Sequence, residues 1–368
     1  MKQNQSPRWS KKTLYWLKLL VALGFFSQQA HSFQLAIVNR QFSGAGTLIQ
    51  PQLNQLADNL QNQFNQTIAS ANNQSNFLNA VGNANAFSAR SYIAPGVIPA
   101  TNTFFTNFGA SVALATGEGA SLSKGISFAQ NQLPAIGVGA KTGITFGVGG
   151  KLIPLPIGLD PSRMMYSFSF LSTDLSRQIG HGISLKTAQT SIGASYQFYL
   201  PQAWSPLMRF NGVKITSGLS YATFDASYRT PFNLSSYDSG TNSTVTWNSN
   251  VDLGVTSKVF SLTNEVTTGV RLLWILNLYT GLGVDFNFGS SSITGGSNGP
   301  VTGTAGGNTV FSATAVVDGT SSSAAPTLAQ FRYLVGTEMD LGPVGIYVQG
   351  QVATPSVYAL NFGAHVLF

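Results

Sequence analysis

The sequence predicts an all-β, antiparallel transmembrane barrel of about 10 strands, with 12 or 14 as alternatives, preceded by a small α-helical N-terminal segment. Three observations carry that prediction. The chain opens like an exported protein, it combines few charges with many aromatics, and from about residue 105 its hydropathy alternates with a period of two.

The opening comes first. Lys2, Arg8, Lys11 and Lys12 precede the apolar run TLYWLKLLVALGFF (13–26), and the polar stretch SQQAHS follows. Basic, apolar and small-polar blocks in that order form a secretory signal, with cleavage near Ser32. The alternative, an uncleaved anchor helix, fits less well. Lys18 interrupts the run, and polar residues return before the roughly 20 apolar positions that a bilayer requires. With no cysteine in the chain, neither a lipidated N-terminus nor a disulfide is available.

Charge narrows the class. Five of the 19 basic residues leave with the signal, so 14 remain against 12 acidic ones, a net of about +2 without clusters. Such a surface is no phosphate-binding footprint, and nucleic acid is excluded as a partner. Charged residues make up 8% of the chain, where about 25% is usual for soluble domains. Together with 25 Phe, 12 Tyr and 5 Trp, this composition suits a surface that faces lipid over much of its area. A soluble β-sandwich also alternates, but it needs a second face rich in Lys and Glu that this chain lacks.

Residues 33–104 form the N-terminal segment, rich in Asn and Gln. Within it Leu53, Leu56, Ala57, Leu60, Phe64 and Ile68 share one helical face, and Pro51 sits where a first-turn proline is tolerated. A second short helix is expected over 75–87. The segment is expected to plug or cap the barrel from the periplasmic side. The barrel itself occupies 105–368, with strands expected at 106–116, 135–149, 163–172, 188–200, 211–229, 259–274, 277–289, 327–341, 344–353 and 356–368. In 277–289, for example, Leu278, Leu282, Val284, Phe286 and Phe288 oppose Tyr279, Gly281, Asp285 and Asn287.

Turn lengths orient the strands. WILNL (274–278) and DLGPVG (340–345) are tight and are placed in the periplasm with both chain ends. The stretches 230–258 and 290–326, rich in Gly, Ser, Thr and Asn, are expected as long outer loops. TVFSATAVVD (309–318) alternates, but as a lone spanning strand it would reverse every later one. It is therefore expected within an outer loop, or with a partner in a twelve-stranded barrel.

The last strand carries a resemblance. Tyr358, Leu360, Phe362, Val366 and Phe368 form an apolar row that ends on a terminal Phe. This stretch resembles the C-terminal strand of bacterial outer-membrane β-barrel proteins, in which the pattern is implied to be the signal read by the barrel-assembly machinery. The resemblance implies outer-membrane lipid and that machinery as partners, in a Gram-negative-type bacterium.

Chemistry-bearing motifs are scarce. There is no HExxH, GxSxG, P-loop or metal-spaced His/Cys cluster, so no enzyme, metal or cofactor is expected. An Asp174–His181 pair at the outer rim is the one hydrolase-like arrangement, and a solvated loop histidine explains His181 as well. His365 falls on the inner face of the last strand. The charges are more informative: Lys141, Lys214, Glu265, Arg271, Asp285, Arg332, Glu338 and Asp340 all fall on the non-lipid face. On the lipid face an Arg or Lys would cost about 2–4 kcal/mol at the midplane. These eight are expected to line a narrow lumen, either as a salt-bridged filling or along a solute path. Passive transport of a small, hydrophobic solute and surface binding through the outer loops are the competing functions. Deleting Phe368 should block assembly, leaving the protein without the heat-modifiable gel mobility of a folded barrel; unchanged mobility would remove the terminal residue from the signal.

Overall fold

The computed structural model describes residues 34–69, 74–89, 104–117, 136–153, 159–174, 183–320 and 323–368. The expected signal (1–32) and His181 lie outside the described residues. The elements in chain order are β1 (Gln34–Phe42), α1 (Gln50–Ala69), α2 (Gln74–Ser88), β2 (Phe104–Thr116), β3 (Ile136–Gly149), β4 (Met164–Asp174), β5 (Ile183–Tyr199), β6 (Gln202–Ser205), β7 (Met208–Asp238), β8 (Ser243–Leu272), β9 (Leu276–Ala305), β10 (Asn308–Thr320), β11 (Ala329–Leu341), β12 (Val344–Ala353) and β13 (Val357–Leu367).

Ten of these strands close a ring. β2 pairs with β3, β3 with β4, β4 with β5, β5 with β7, β7 with β8 and β8 with β9. From there β9 pairs with β11, β11 with β12, β12 with β13, and β13 returns to β2 over Val357↔Ala115 to Leu367↔Phe105. Phe104 and Phe368 exchange backbone hydrogen bonds at 3.3 and 2.8 Å, so both ends of the barrel sequence meet at one rim, here the closing rim. The ring contains each of the ten expected strands.

Alternation decides the two faces. Val112, Phe146, Ile192, Leu282, Phe331 and Leu360 stand exposed on the outside, while their neighbours in sequence turn inward. At the far rim a charged row bounds this apolar band: Asp174 opposite Lys186, and Lys186 opposite Asp225. Lys186 and Asp174 stand 3.4 Å apart and are largely exposed. At the closing rim the turn after β8 presents Leu273, Trp274 and Ile275 to the surroundings. Leu273 and Trp274 both have positive φ, the conformation of a type I′ turn, closed by the Ile275 N–H to Leu272 O bond. Apolar and aromatic residues at such a turn suit the membrane interface.

Beyond the far rim the structure departs from expectation. The stretches 230–258 and 290–326 are not long loops: β7, β8 and β9 run on for 31, 30 and 30 residues. β10 pairs with the upper half of β9, and β1 pairs with β10, giving a five-stranded extension. Residues 309–318 therefore belong to a strand outside the ring, and neither loop nor spanning strand describes them. The reason is a second core. Val245, Trp247, Val251, Val301, Phe311, Ala313, Ala315, Val317, Leu35 and Ile37 line one face of the extension, and Leu53, Leu56, Ala57 and Leu60 of α1 cover it. The other face bears Thr, Ser and Asn, which made the segment read as a loop. At the outermost turn the Asp238 carboxylate accepts from the Thr241 hydroxyl (2.8 Å) and the Gly240 N–H (2.9 Å). These bonds hold its carboxyl below the usual carboxylate range.

The N-terminal segment also differs from expectation. It contains a strand as well as two helices. α2 lies at the far rim, inside the wall, whereas access from the side of the chain ends was expected. A side chain on Gly137 would strike the backbone of Ala80, and one on Gly139 the carbonyl of Ala84, so only glycine lets the helix approach β3 this closely. The physical reason for the placement is the route of the chain. β1 and α1 are built into the extension, so α2 descends into the barrel from there.

Trp247 is fully buried, and its truncation to alanine should cost about 3–5 kcal/mol. That loss should open the extension to protease while the barrel keeps its heat-modifiable mobility. Simultaneous loss of both would mean that the two cores unfold as one.

Candidate lumen site

Strand parity delivers the interior charges to the inner face. Glu265 (β8), Asp285 (β9), Lys214 (β7), Arg332, Glu338 and Asp340 (β11) and Lys141 (β3) all turn inward, with Arg271 (β8) nearer the closing rim. They comprise four cations and four anions, so the set is formally neutral. Lys141, Lys214, Asp285, Arg332 and Glu338 are buried.

Arg332 is the centre of the larger group. Its Nη1 donates to Glu265 Oε2, and its Nη2 to Asp285 Oδ1 at 3.2 Å. Lys214 interacts electrostatically with Glu265 and Glu338. Below it, Arg271 Nη2 donates to Asp340 Oδ2, and Nε donates to Asn277 Oδ1 at 3.0 Å. Asn277 Nδ2 in turn donates to Asp340 Oδ2 at 2.6 Å. His365 Nε2 stands 3.7 Å from Glu338 Oε1. Glu338, Asp340 and His365 bring one ligand atom each within 4.8 Å of one another, a donor set that suits a divalent cation. Asp340, however, is already engaged by Arg271 and Asn277.

Aromatics complete the filling of this half of the barrel. Tyr279 lies over Gly336 and the His365 ring over Gly345, each on a neighbouring strand where a Cβ would collide. Asn107 Nδ2 donates to the Tyr347 hydroxyl at 3.2 Å. A ten-stranded barrel has room for side chains and little more. The charged groups and rings occupy that room toward the closing rim.

The far half is occupied by α2. Ala80, Ala84 and Phe87 meet Ala113, Ala115, Val357 and Ala359. Asn85 Nδ2 donates to Ser257 Oγ at 3.0 Å, Asn83 Nδ2 to Thr327 Oγ1 at 3.1 Å, and Asn79 Nδ2 to Ala325 O at 2.8 Å. The buried Leu78, Val81 and Phe87, a row of small residues and a handful of amide bonds therefore hold this helix in the barrel.

Several interior residues escaped the sequence reading. Gln189, Gln330, Gln349, Gln351 and Asn361 are buried. They share the parity of the charges, and that parity was the available signal. Asp174 is placed at the rim against Lys186, away from the charge network. The apolar row Tyr358, Leu360, Phe362 and Phe368 faces outward, with Val366 half-buried beside it.

Comparison with known proteins follows from this geometry. The family described as Lsa36-like matches residues 36–368. No curated protein matches. Among solved structures, the chain is similar to Ail, the attachment invasion locus protein of Yersinia pestis, at 11% identity. That alignment covers 73% of this chain and 99% of Ail, with a TM-score of 0.25. A major outer membrane protein from Thermus thermophilus aligns at 14% identity over 72% of this chain and 99% of its own, TM-score 0.27. The toluene transporter TbuX of Ralstonia pickettii aligns at 7% over 80% and 98%, TM-score 0.22. Scores this low add nothing to the chain's own strand pairing, on which the barrel rests.

Removing one partner of a buried pair strands the other. Arg332→Met removes the guanidinium that both Glu265 and Asp285 accept from and should destabilise the barrel by about 3–5 kcal/mol. Adding Glu265→Gln and Asp285→Asn should restore most of that loss. Urea midpoints of heat-modifiable mobility measure both, and an unchanged midpoint for Arg332→Met would show the cluster to be energetically idle.

Proposed function

We propose that the chain, which belongs to the Lsa36-like family, is an outer-membrane barrel of a Gram-negative-type bacterium that passes a small apolar solute passively and is closed at rest by α2. The supporting observation is the seating of that helix. It lies inside the wall against Gly137 and Gly139, held by small residues and by amide bonds from Asn79, Asn83 and Asn85. Beside the buried Leu78, Val81 and Phe87, the contact is made by alanines and by amide hydrogen bonds that water can replace, which suits a plug that leaves. The eight inward charges balance, four cations against four anions, which favours an uncharged solute over an ion. Outer-membrane lipid surrounds the band, and the assembly machinery reads the last strand.

A second reading is favoured by a different observation. The extension projects beyond the charged rim with its own core and a flat outer face of Thr, Ser and Asn. Such a platform fits a surface-interaction barrel that binds a ligand outside the membrane.

Planar-bilayer conductance separates the two. The protein should be silent, and a variant with residues 74–89 replaced by a Gly/Ser linker should conduct. Silence from both, with heat-modifiable mobility intact, would remove the transport reading and leave the platform.

A further inference from the structure

Three neighbouring strands bring a mixed donor set together toward the closing rim. In the register of the wall Asp340 (β11) is opposite Gly345 (β12), and Gly345 is opposite His365 (β13). Glu338 stands two residues along β11 on the same inner face. Gly345 is what lets the outer members of that row meet. A Cβ there would lie 2.1 Å from the His365 ring, so the imidazole lies across β12 toward β11. Glu338, Asp340 and His365 then each bring one ligand atom within 4.8 Å of the others.

The spacing inside this set is wrong for hydrogen bonding and right for a shared ion. His365 Nε2 stands 3.7 Å from Glu338 Oε1, too long for a hydrogen bond. Bonds of about 2.0–2.2 Å to a tetrahedral zinc place its ligand atoms roughly 3.3–3.6 Å apart, so the pair fits with little movement. The His365 side chain is 2% exposed, and its Nδ1 is buried with no hydrogen-bond partner among the described residues. A ring buried in that way calls for a partner of another kind. Asp340 is engaged already, but on one oxygen. Arg271 Nη2 and Asn277 Nδ2 both donate to Oδ2, so the carboxylate is held as outer bonds hold a metal ligand, with Oδ1 as the oxygen for an ion. The Asp340 side chain is 13% exposed, which gives the set a way in.

We infer that Glu338, Asp340 and His365 form a binding site for one divalent transition-metal ion of the zinc type, which ties β11 to β13 across β12. The class of ion follows from the donors and from the charges around them. Lys214 interacts electrostatically with Glu338, and Lys214 and Arg271 both act on His365. Those cations offset much of the carboxylate charge, so attraction alone does not hold an ion here and ligand bonds have to. An imidazole nitrogen beside carboxylate oxygens suits zinc and its neighbours, whereas magnesium and calcium take sets of oxygen alone. The site stands whether or not the barrel conducts.

The test uses the whole folded protein in detergent, stripped with a chelator and titrated with zinc chloride. One equivalent should bind per chain, and an excess of magnesium or calcium should not displace it. X-ray absorption at the zinc edge should show a shell of nitrogen and oxygen with a single imidazole. His365→Gln should weaken binding by more than about a hundredfold, beyond the range for losing an outer-shell partner. Asn277→Ala removes such a partner from Asp340 and should weaken binding about tenfold. Gly345→Ala keeps all three ligands but displaces the ring, and it should bind as poorly as His365→Gln. Heat-modifiable mobility shows whether each variant folds, and where one does not, the absorption spectrum of the native protein decides. A shell with no imidazole or with two, the absence of stoichiometric binding, or undiminished binding by folded His365→Gln would overturn the site.

Discussion

Everything in this molecule follows from closing the sheet in a medium that cannot hydrogen-bond. In lipid each exposed N–H or C=O costs several kcal/mol, so the first and last strands of the barrel have to meet. β13 and β2 do so over eleven residue pairs, and Phe368 and Phe104 finish the seam. Closure then dictates the rest of the band. One face of every strand must be apolar and the other must fit a narrow interior, which accounts for the period of two. It also accounts for the charge distribution, since the inside is the one place within the band where an ionised group finds partners.

Interior charge then raises its own problem. Buried ions are costly unless paired and hydrogen-bonded, and Arg332, Arg271 and their carboxylates satisfy that requirement with multiply bonded contacts. Aromatic rings laid over glycines take up the remaining room. Lys141 is held differently, donating to the backbone carbonyls of Ala188 and Thr223.

Past the charged row of Asp174, Lys186 and Asp225 the constraint changes. Water is available again, so β7, β8 and β9 no longer need an apolar outer face, and the extension is built as a soluble sheet covered by an amphipathic helix. The same three strands therefore obey two sets of rules along their length. α2, which descends from that extension into the barrel, connects the two regions.

The sequence by itself determined the barrel, a count of about ten strands with 12 and 14 left open, the inner and outer faces of its spanning strands and the two helices of the N-terminal segment. All of these are local periodicities that lipid outside and a polar lumen impose residue by residue. Alternation also placed Glu265, Asp285, Arg332 and Glu338 on the inner face. Tertiary structure alone decided who meets whom. Arg332 finds Glu265 and Asp285 on other strands through register, which depends on shear around the whole ring. The reach of β7 to β9 was hidden because Thr, Ser and Asn opposite Val245 and Trp247 look like loop until a helix far away in sequence is seen to cover the apolar side.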